Sequence, residues 1–359
     1  MKPTVPQPSL AEGALIKDYR VVRCLGRGSM GEVYEAKHQT IGRRVAIKLL
    51  REGADDQLNA SRRLLEEARS VNSIRHSGIV DVFDIGLYAD RRPYLVMELL
   101  EGFSLSARIK QGPVLVDDAV QWLEGILDAL QAAHDAGVVH RDLKPSNVFL
   151  AGQYEPFKVK LLDFGVARRA GRKEVFTAPS MAVGSVGFMA PEQLQGNASA
   201  ASDLYAVGCL AFQLFAGRPV FPLKNIPDAA RKHMIEPPPR LREVRPNLSA
   251  ELEGWVDHLL RKLPVDRPKS ARAALEELRM VELDPELTKS QQRTEMVPAF
   301  TPPTGRMRAE TALSSTAIPP VQAVPRRSGP VPSVPPKERT TNVESVESNT
   351  DNSKTIFDT

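Results

Sequence analysis

Two cysteines in 359 residues, Cys24 and Cys209, are too few for a disulfide framework, and no CxxC pair brings them to one metal. Each stands among apolar neighbours, so both are expected as small buried hydrophobes with reduced thiols, as in a cytosolic protein. Long apolar runs are also missing. The longest, Ala206 to Ala216, is broken by Gln213 and is shorter than the ~20 residues that a bilayer-spanning helix needs, so no membrane span is expected. Met1 to Gly13 is Pro-rich with no apolar centre, unlike an export signal. Charge of one sign is not in large excess: 48 Lys and Arg against 44 Asp and Glu leave +4, which does not argue for a nucleic-acid partner. No GxxxxGK[ST] occurs, which excludes a Walker-type phosphate loop. Aromatics are scarce towards the end, where only Phe300 and Phe357 follow Asp284. That Pro-, Ser- and Thr-rich stretch cannot bury enough apolar surface to offset its chain entropy, so a disordered tail is expected over 284–359.

What remains is a body of about 270 residues with two kinds of periodicity. A flexible lead is expected at 1–14 and a folded domain at 15–283. From Tyr19 the pattern is strand-like, through Val21, Val22 and Leu25, then Val33-Tyr34, Val45–Ile47, Ile79–Leu87 and Tyr94–Glu98. One helical stripe interrupts it, at Leu64, Ala68, Val71 and Ile74. After Gly102 the period turns helical. Ala119, Trp122, Leu123, Ile126, Leu127 and Leu130 form one apolar face, and helical patterns recur at Leu204–Phe215, Leu252–Lys262 and Ala271–Val281. Short β runs, Val138-Val139, Val148–Leu150 and Val159–Leu162, lie between those helices. The fold class is α+β: a small β-rich lobe with one helix, then a larger α-helical lobe.

Polar motifs stand at the joints of this pattern. Gly26-Arg27-Gly28-Ser29-Met30-Gly31 is followed by a strand-like run, not the helix of a dinucleotide fold, so its glycines cap a β-hairpin. Such a turn either simply reverses the chain or lets backbone amides close on phosphate oxygens. Lys48 shares a strand face with Ala46 and Leu50, and a lysine there is costly unless its charge meets a partner. Glu67 lies on the apolar face of the helical stripe, so a Lys48–Glu67 pair is expected. In His140-Arg141-Asp142-Leu143-Lys144-Pro145-Ser146-Asn147, Asp142 is placed to accept the proton of an attacking hydroxyl. Lys144 can neutralise charge on a transferred group, and Asn147 offers an amide oxygen to a metal. Asp163-Phe164-Gly165 puts a carboxylate at a strand end, and Asp163 with Asn147 is a hard-oxygen set suited to Mg2+.

The ordered set, closed by Ala190-Pro191-Glu192, resembles the bacterial eukaryotic-like (Hanks-type) serine/threonine protein kinases over Tyr19 to about Val281. The resemblance implies a two-lobed protein-kinase fold that transfers the γ-phosphoryl of ATP, with Mg2+ or alternatively Mn2+, to protein Ser/Thr hydroxyls. Leu25 and residues 26–31 would cover the nucleotide. Val33, Ala46 and Phe149 would sandwich the adenine. Met97 would be the gatekeeper, and Glu98 to Leu100 the hinge. Val71, His140 and Phe164 would belong to the regulatory spine. Asp203 would brace the 140–147 loop, and Glu192 would pair with Arg267. Lys144 is the lysine of the serine/threonine branch. Met30 departs from the pattern, since many relatives carry an aromatic there. Arg141 implies control by phosphorylation of the loop from Asp163 to Glu192, with Thr177 and Ser180 as autophosphorylation sites. Ser185, where relatives carry threonine, is expected against Asp142 and Lys144. A catalytically silent scaffold would ordinarily have lost Lys48, Asp142 or Asp163. A small-molecule kinase would ordinarily lack the Ala-Pro-Glu segment. The expected partners are protein substrates. Thr355, with Asp358 three positions on, resembles a phosphothreonine site for a forkhead-associated domain. The expected location is cytoplasmic.

Overall fold

The computed structural model describes residues 9–28, 31–50, 74–89, 92–164, 183–222 and 225–282. Ser29, Met30, Glu67 with the rest of its helical stripe up to Val71, Gly165, Thr177, Ser180 and Thr355 therefore lie outside the described residues.

The first lobe is an antiparallel sheet. Its strands are β1 (Leu15–Ile16), β2 (Tyr19–Gly28), β3 (Gly31–His38), β4 (Arg44–Leu50), β5 (Val82–Leu87) and β6 (Pro93–Glu98), in the order β1-β2-β3-β4-β6-β5. The glycine motif spans the β2–β3 hairpin, with Gly28 opposite Gly31. Gly31 has φ +150°, and a Cβ there would sit 2.2 Å from the carbonyl oxygen of Leu49. The third glycine is thus required by the approach of β4. In β4, Val45, Ile47 and Leu49 pack on one face with Val21, Tyr34, Ala36, Tyr94 and Val96. Leu50 turns to the other face, against Leu95, Ile85 and Met97.

The lead expected at 1–14 is, from Ser9 onward, packed against this sheet. Leu10 is buried in the same apolar cluster, its N–H donates to Tyr34 Oη at 3.1 Å, and Gly13 and Ala14 exchange backbone hydrogen bonds with Val21. The outer sheet face would otherwise expose Val21, Tyr34, Val45 and Val96, and covering it outweighs ordering a short Pro-rich segment. Burial, with donation to Glu32, pushes the Tyr34 hydroxyl up to about 12, so it stays protonated and donates to Glu32 Oε2 at 2.5 Å.

The second lobe carries a small sheet of β7 (Gly102–Ser104), β8 (Val148–Ala151) and β9 (Lys158–Leu161). Its helices are α1 (Leu105–Lys110), α2 (Val116–Asp135), α3 (Val183–Val186), α4 (Pro191–Leu194), α5 (Ala200–Ala216), α6 (Ile226–Ile235), α7 (Leu241–Val244), α8 (Ala250–Leu259) and α9 (Ala271–Arg279). The α2 stripe read from the sequence is buried from Ala119 to Leu130 against α5, α9 and β9. Helix α5 is buried almost all round, which is why Ala206–Ala216 is nearly continuous in apolar residues. Gly217, with φ +70°, ends it in the left-handed conformation that glycine adopts without strain. Among the described residues no helix is long and apolar enough to cross a membrane.

Three expected elements differ. Val138-Val139 is not a strand: Val138 N–H returns to Ala133 O at 2.9 Å and His140 N–H goes to Asp203, so these two donors are paired without a neighbouring strand. The run from Ile79 divides. Ile79 bridges to Leu161 of the second lobe, and β5 begins only at Val82. The helix expected to Lys262 stops at Leu259, because the carbonyls of Arg261 and Lys262 turn to the Arg267 guanidinium.

Candidate active site

Lys48 stands on β4 between Val33 of β3 and Leu95 of β6 and is 9% exposed. The expected Lys48–Glu67 pair falls outside the described residues. Among the described residues its partner is Asp163, whose Oδ2 lies 2.6 Å from Lys48 Nζ. Asp163 follows β9 and has φ +49°. Burial pushes its carboxyl up, but the Lys48 ammonium, by charge and by hydrogen bond, outweighs burial and holds it below the usual carboxylate range. This contact joins a first-lobe strand to a second-lobe strand end.

The 140–147 loop is held from beneath by Asp203, in the first turn of α5. Asp203 accepts His140 N–H at Oδ2 and Arg141 N–H at Oδ1, each at 2.8 Å, and its Oδ2 lies 2.8 Å from His134 Nε2. Arg141 has φ +64°, and its carbonyl accepts from the Gln193 amide at 2.5 Å. Among the described residues the non-glycine positions with positive φ are Lys17, Arg141 and Asp163. Two of the three flank the polar cluster, where the surrounding bonds can hold strain of about 1–3 kcal/mol each. His140 is fully buried, with Nε2 against Leu162 O at 3.0 Å and its ring 4.6 Å from that of Phe164. Burial, opposed by the nearby carboxylates, pushes its pKa down, so the ring is a neutral strut.

Lys144 lies between two groups, donating to Asp142 Oδ2 at 2.8 Å and to Ser185 Oγ at 2.9 Å. Asn147 Nδ2 donates to Asp142 O at 2.8 Å and to Asp142 Oδ2 at 3.1 Å, which leaves the Asn147 amide oxygen for another partner. Arg141, Ser185, Gln193 and Asp203 line a narrow recess beside Asp142. Among the described residues no three of His, Cys, Asp and Glu gather into a metal cage. A carboxylate and an amide oxygen, Asp163 and Asn147, fit a small hard cation that takes most of its ligands from a phosphate chain and water.

Glu192 and Arg267 meet as a fork, Nη1 to Oε1 at 2.7 Å and Nη2 to Oε2 at 2.8 Å. Ser202 Oγ adds a bond to Glu192 Oε1 at 2.6 Å. The structure thus brings together Lys48, Asp142, Lys144, Asn147, Asp163 and Ser185, with Asp203, Glu192 and Arg267 in the framework. Gly26, Arg27, Gly28 and Val33 lie on the β2–β3 hairpin, and Ala46 and Met97 are register partners on β4 and β6. Glu98 ends β6, and Phe149 lies on β8. Sequence reasoning missed His134, Gln193 and Ser202. His134 and Gln193 have partners distant in the chain, which no local period marks, whereas Ser202 could have been read from its spacing to Ser199 as part of a helix-capping box.

The description "protein kinase domain" fits residues 19–278. The chain is 41% identical to the serine/threonine-protein kinase Pkn1 of Myxococcus xanthus over 274 residues, 76% of this chain and 39% of that one. It is 34% identical to the serine/threonine-protein kinase PknA of Mycobacterium tuberculosis over 304 residues, 83% of this chain and 67% of that one. A crystal structure of the Mycobacterium tuberculosis PknI kinase domain superposes with a TM-score of 0.60 at 28% identity, over 76% of this chain and 98% of that one. The chain spans about two fifths of the length of Pkn1.

Proposed function

Because the chain belongs to the protein kinase domain family, in its bacterial serine/threonine branch, we propose that it transfers the γ-phosphoryl group of ATP to serine or threonine hydroxyls of proteins, with Mg2+ as the metal. One observation carries the reading. A buried lysine from the first lobe meets the strand-end aspartate of the second at 2.6 Å, next to an aspartate, lysine and asparagine joined by hydrogen bonds. The bond formed is acceptor oxygen to phosphorus, and the bond broken joins that phosphorus to the ADP oxygen. The hydroxyl proton passes to Asp142, whose carboxylate is oriented through Oδ2 by Lys144 and Asn147. Lys144 balances charge that develops on the transferred group, and Lys48 meets the remaining phosphates. Asp163 and Asn147 would hold the metal, which supplies charge neutralisation across the phosphates when bound.

The reading extends to autophosphorylation at Thr177 or Ser180, with Arg141 receiving the phosphate. Ser185 is tied to Lys144, so it serves the substrate platform and not as an acceptor. A catalytic domain at 15–283, a spacer tail at 284–359 with a phosphothreonine site at Thr355, and a cytoplasmic location complete it. The test is incubation of the pure protein with Mg2+ and γ-labelled ATP, with sites mapped by mass spectrometry. Lys48→Met is expected to cut incorporation by at least about a hundredfold while unfolding at a similar temperature. Full labelling of that variant would remove Lys48 from the mechanism, and an unlabelled wild-type chain would overturn the kinase reading.

A further inference from the structure

Lys160 lies in the β run before Asp163 and has no role in the chemistry above. It sits on β9 directly opposite Phe149 of β8. Its neighbours Val159 and Leu161 are buried in the second-lobe core, so Lys160 occupies the other face of the sheet. Its Nζ donates to Glu98 Oε1 at 2.5 Å and to the carbonyl of Ile79 at 3.2 Å. The same Glu98 oxygen accepts Asp81 N–H at 2.9 Å, and Glu98 N–H donates to Asp81 O at 3.0 Å. The segment 78–81 is also joined to β9: Leu161 N–H donates to Gly78 O at 2.7 Å, and Val80 N–H to Leu161 O at 3.1 Å. Three pieces of chain therefore converge on one ion pair: the end of β6, the 78–81 segment and β9.

The two ends of this junction lead to the two ends of the nucleotide site. Glu98 begins the hinge, residues 98–100, whose backbone the resemblance to protein kinases assigns to the adenine edge. Two residues beyond β9, the chain delivers Asp163 to Lys48. The Lys160 and Glu98 side chains are only 14% and 22% exposed, so solvent screens the pair less than a surface pair. We infer that Lys160 is a positioning residue, which clamps the Glu98 carboxylate to β9 and so sets the spacing between the adenine-binding backbone and Asp163. It acts through Glu98 and does not touch the nucleotide. Without the ammonium, Glu98 keeps a single backbone donor and turns towards water, and residues 98–100 lose the direct side-chain tie to β9, keeping only the indirect backbone ties through 78–81. This inference rests on the kinase reading.

The test is steady-state kinetics with a protein substrate, together with calorimetric titration of Mg-ATP, on the full chain. Lys160→Met is expected to raise KM for ATP and the Mg-ATP dissociation constant by about tenfold, while kcat at saturating ATP stays within about twofold. Lys160→Arg should keep wild-type values. The reversed pair, Lys160→Glu with Glu98→Lys, should recover most of the lost affinity. If Lys160→Met does not fold, Lys160→Gln carries the same expectation. An unchanged KM, or a fall in kcat at constant KM, overturns the clamp. A reversed pair as weak as Lys160→Met also overturns it, since the lysine would then meet the nucleotide itself. A wild-type chain that neither binds nor turns over ATP defeats the kinase reading. Wild-type turnover with an indifferent Lys160→Met defeats only the clamp.

Discussion

Removing the Arg267 guanidinium should destabilise the second lobe more than any loss of one surface ion pair. The Arg267 side chain is fully buried, and Glu192 is 12% exposed. Besides its fork to Glu192, Arg267 donates to the carbonyls of Arg261 at 2.7 Å, Ala201 at 2.7 Å and Lys262 at 3.0 Å, and its guanidinium lies 5.0 Å from the Tyr205 ring. Arg267→Ala leaves a buried carboxylate and three carbonyls to find other partners. Breaking a buried pair from one side costs about 3–5 kcal/mol. For a domain of this size that is a fall of roughly 6–20 °C in Tm. Differential scanning calorimetry reads the shift, and urea unfolding at constant m checks that both states keep their extent. Arg267→Lys retains the charge but loses the fork, and should fall between wild type and Arg267→Ala. The pair also has a pH signature. Burial raises the Glu192 carboxyl, but hydrogen bonds from Arg267 and Ser202, with the guanidinium charge, outweigh it and hold it below its ordinary 4.5. A depressed carboxyl contributes stability that is present above 4.5 and is lost as pH falls through the folded-state value. Glu192→Gln should therefore lose less stability than wild type on going below pH 4.5. A Tm within about 3 °C of wild type for Arg267→Ala, or parallel acid profiles for Glu192→Gln and wild type, would refute this account of the pair.

Legibility in the sequence followed the range of each signal. Lys48 stood out because strand alternation made it the one charged residue on the Ala46–Leu50 face, a disagreement between residue type and position that can be seen locally. Its partner in the structure, Asp163, was not legible, because that contact depends on how two lobes meet. Helical periodicity offered Glu67, a carboxylate nearer in the chain, which lies outside the described residues. The Glu192–Arg267 fork was reached by resemblance and not from the residues themselves. Leu10 is the one leucine in a Pro-rich stretch whose few apolar residues follow no period, so its burial became visible only with the sheet face it covers. Helix α6 was missed for a related reason: it buries only Ala229 and His233, too few to draw a stripe. Strand β7, three residues long, is set by its pairing with β8 and not by its own pattern. Val138-Val139 shows the opposite error. Two β-branched residues suggested a strand, but Val138 N–H returns to Ala133 O, and the next residues, His140 and Arg141, give their N–H groups to the Asp203 carboxylate.

Leu10→Ala should lower stability by about 2 kcal/mol, read by urea unfolding, because it opens a void under the segment that covers the first-lobe sheet. An unchanged midpoint would mean that the segment adds nothing to the fold. Asp203→Asn tests how the 140–147 loop is held. The Asp203 carboxylate meets three nitrogens, two backbone and one imidazole, each at 2.8 Å. An amide has one acceptor oxygen, so one backbone N–H would face an NH2 group and the pair would repel. Arg141, at φ +64°, then loses one of its holds and relaxes, and Asp142 moves with it. Misplacement of a reacting group by about 1 Å costs on the order of a hundredfold in rate, so kcat should fall by that factor. Lys48 and Asp163 are held by other strands, so the affinity for Mg-ATP should change little. The two measurements together discriminate. A kcat near wild type would show that Asp203 does not position the loop, and a lost nucleotide affinity with kcat preserved would place its influence at Asp163 instead.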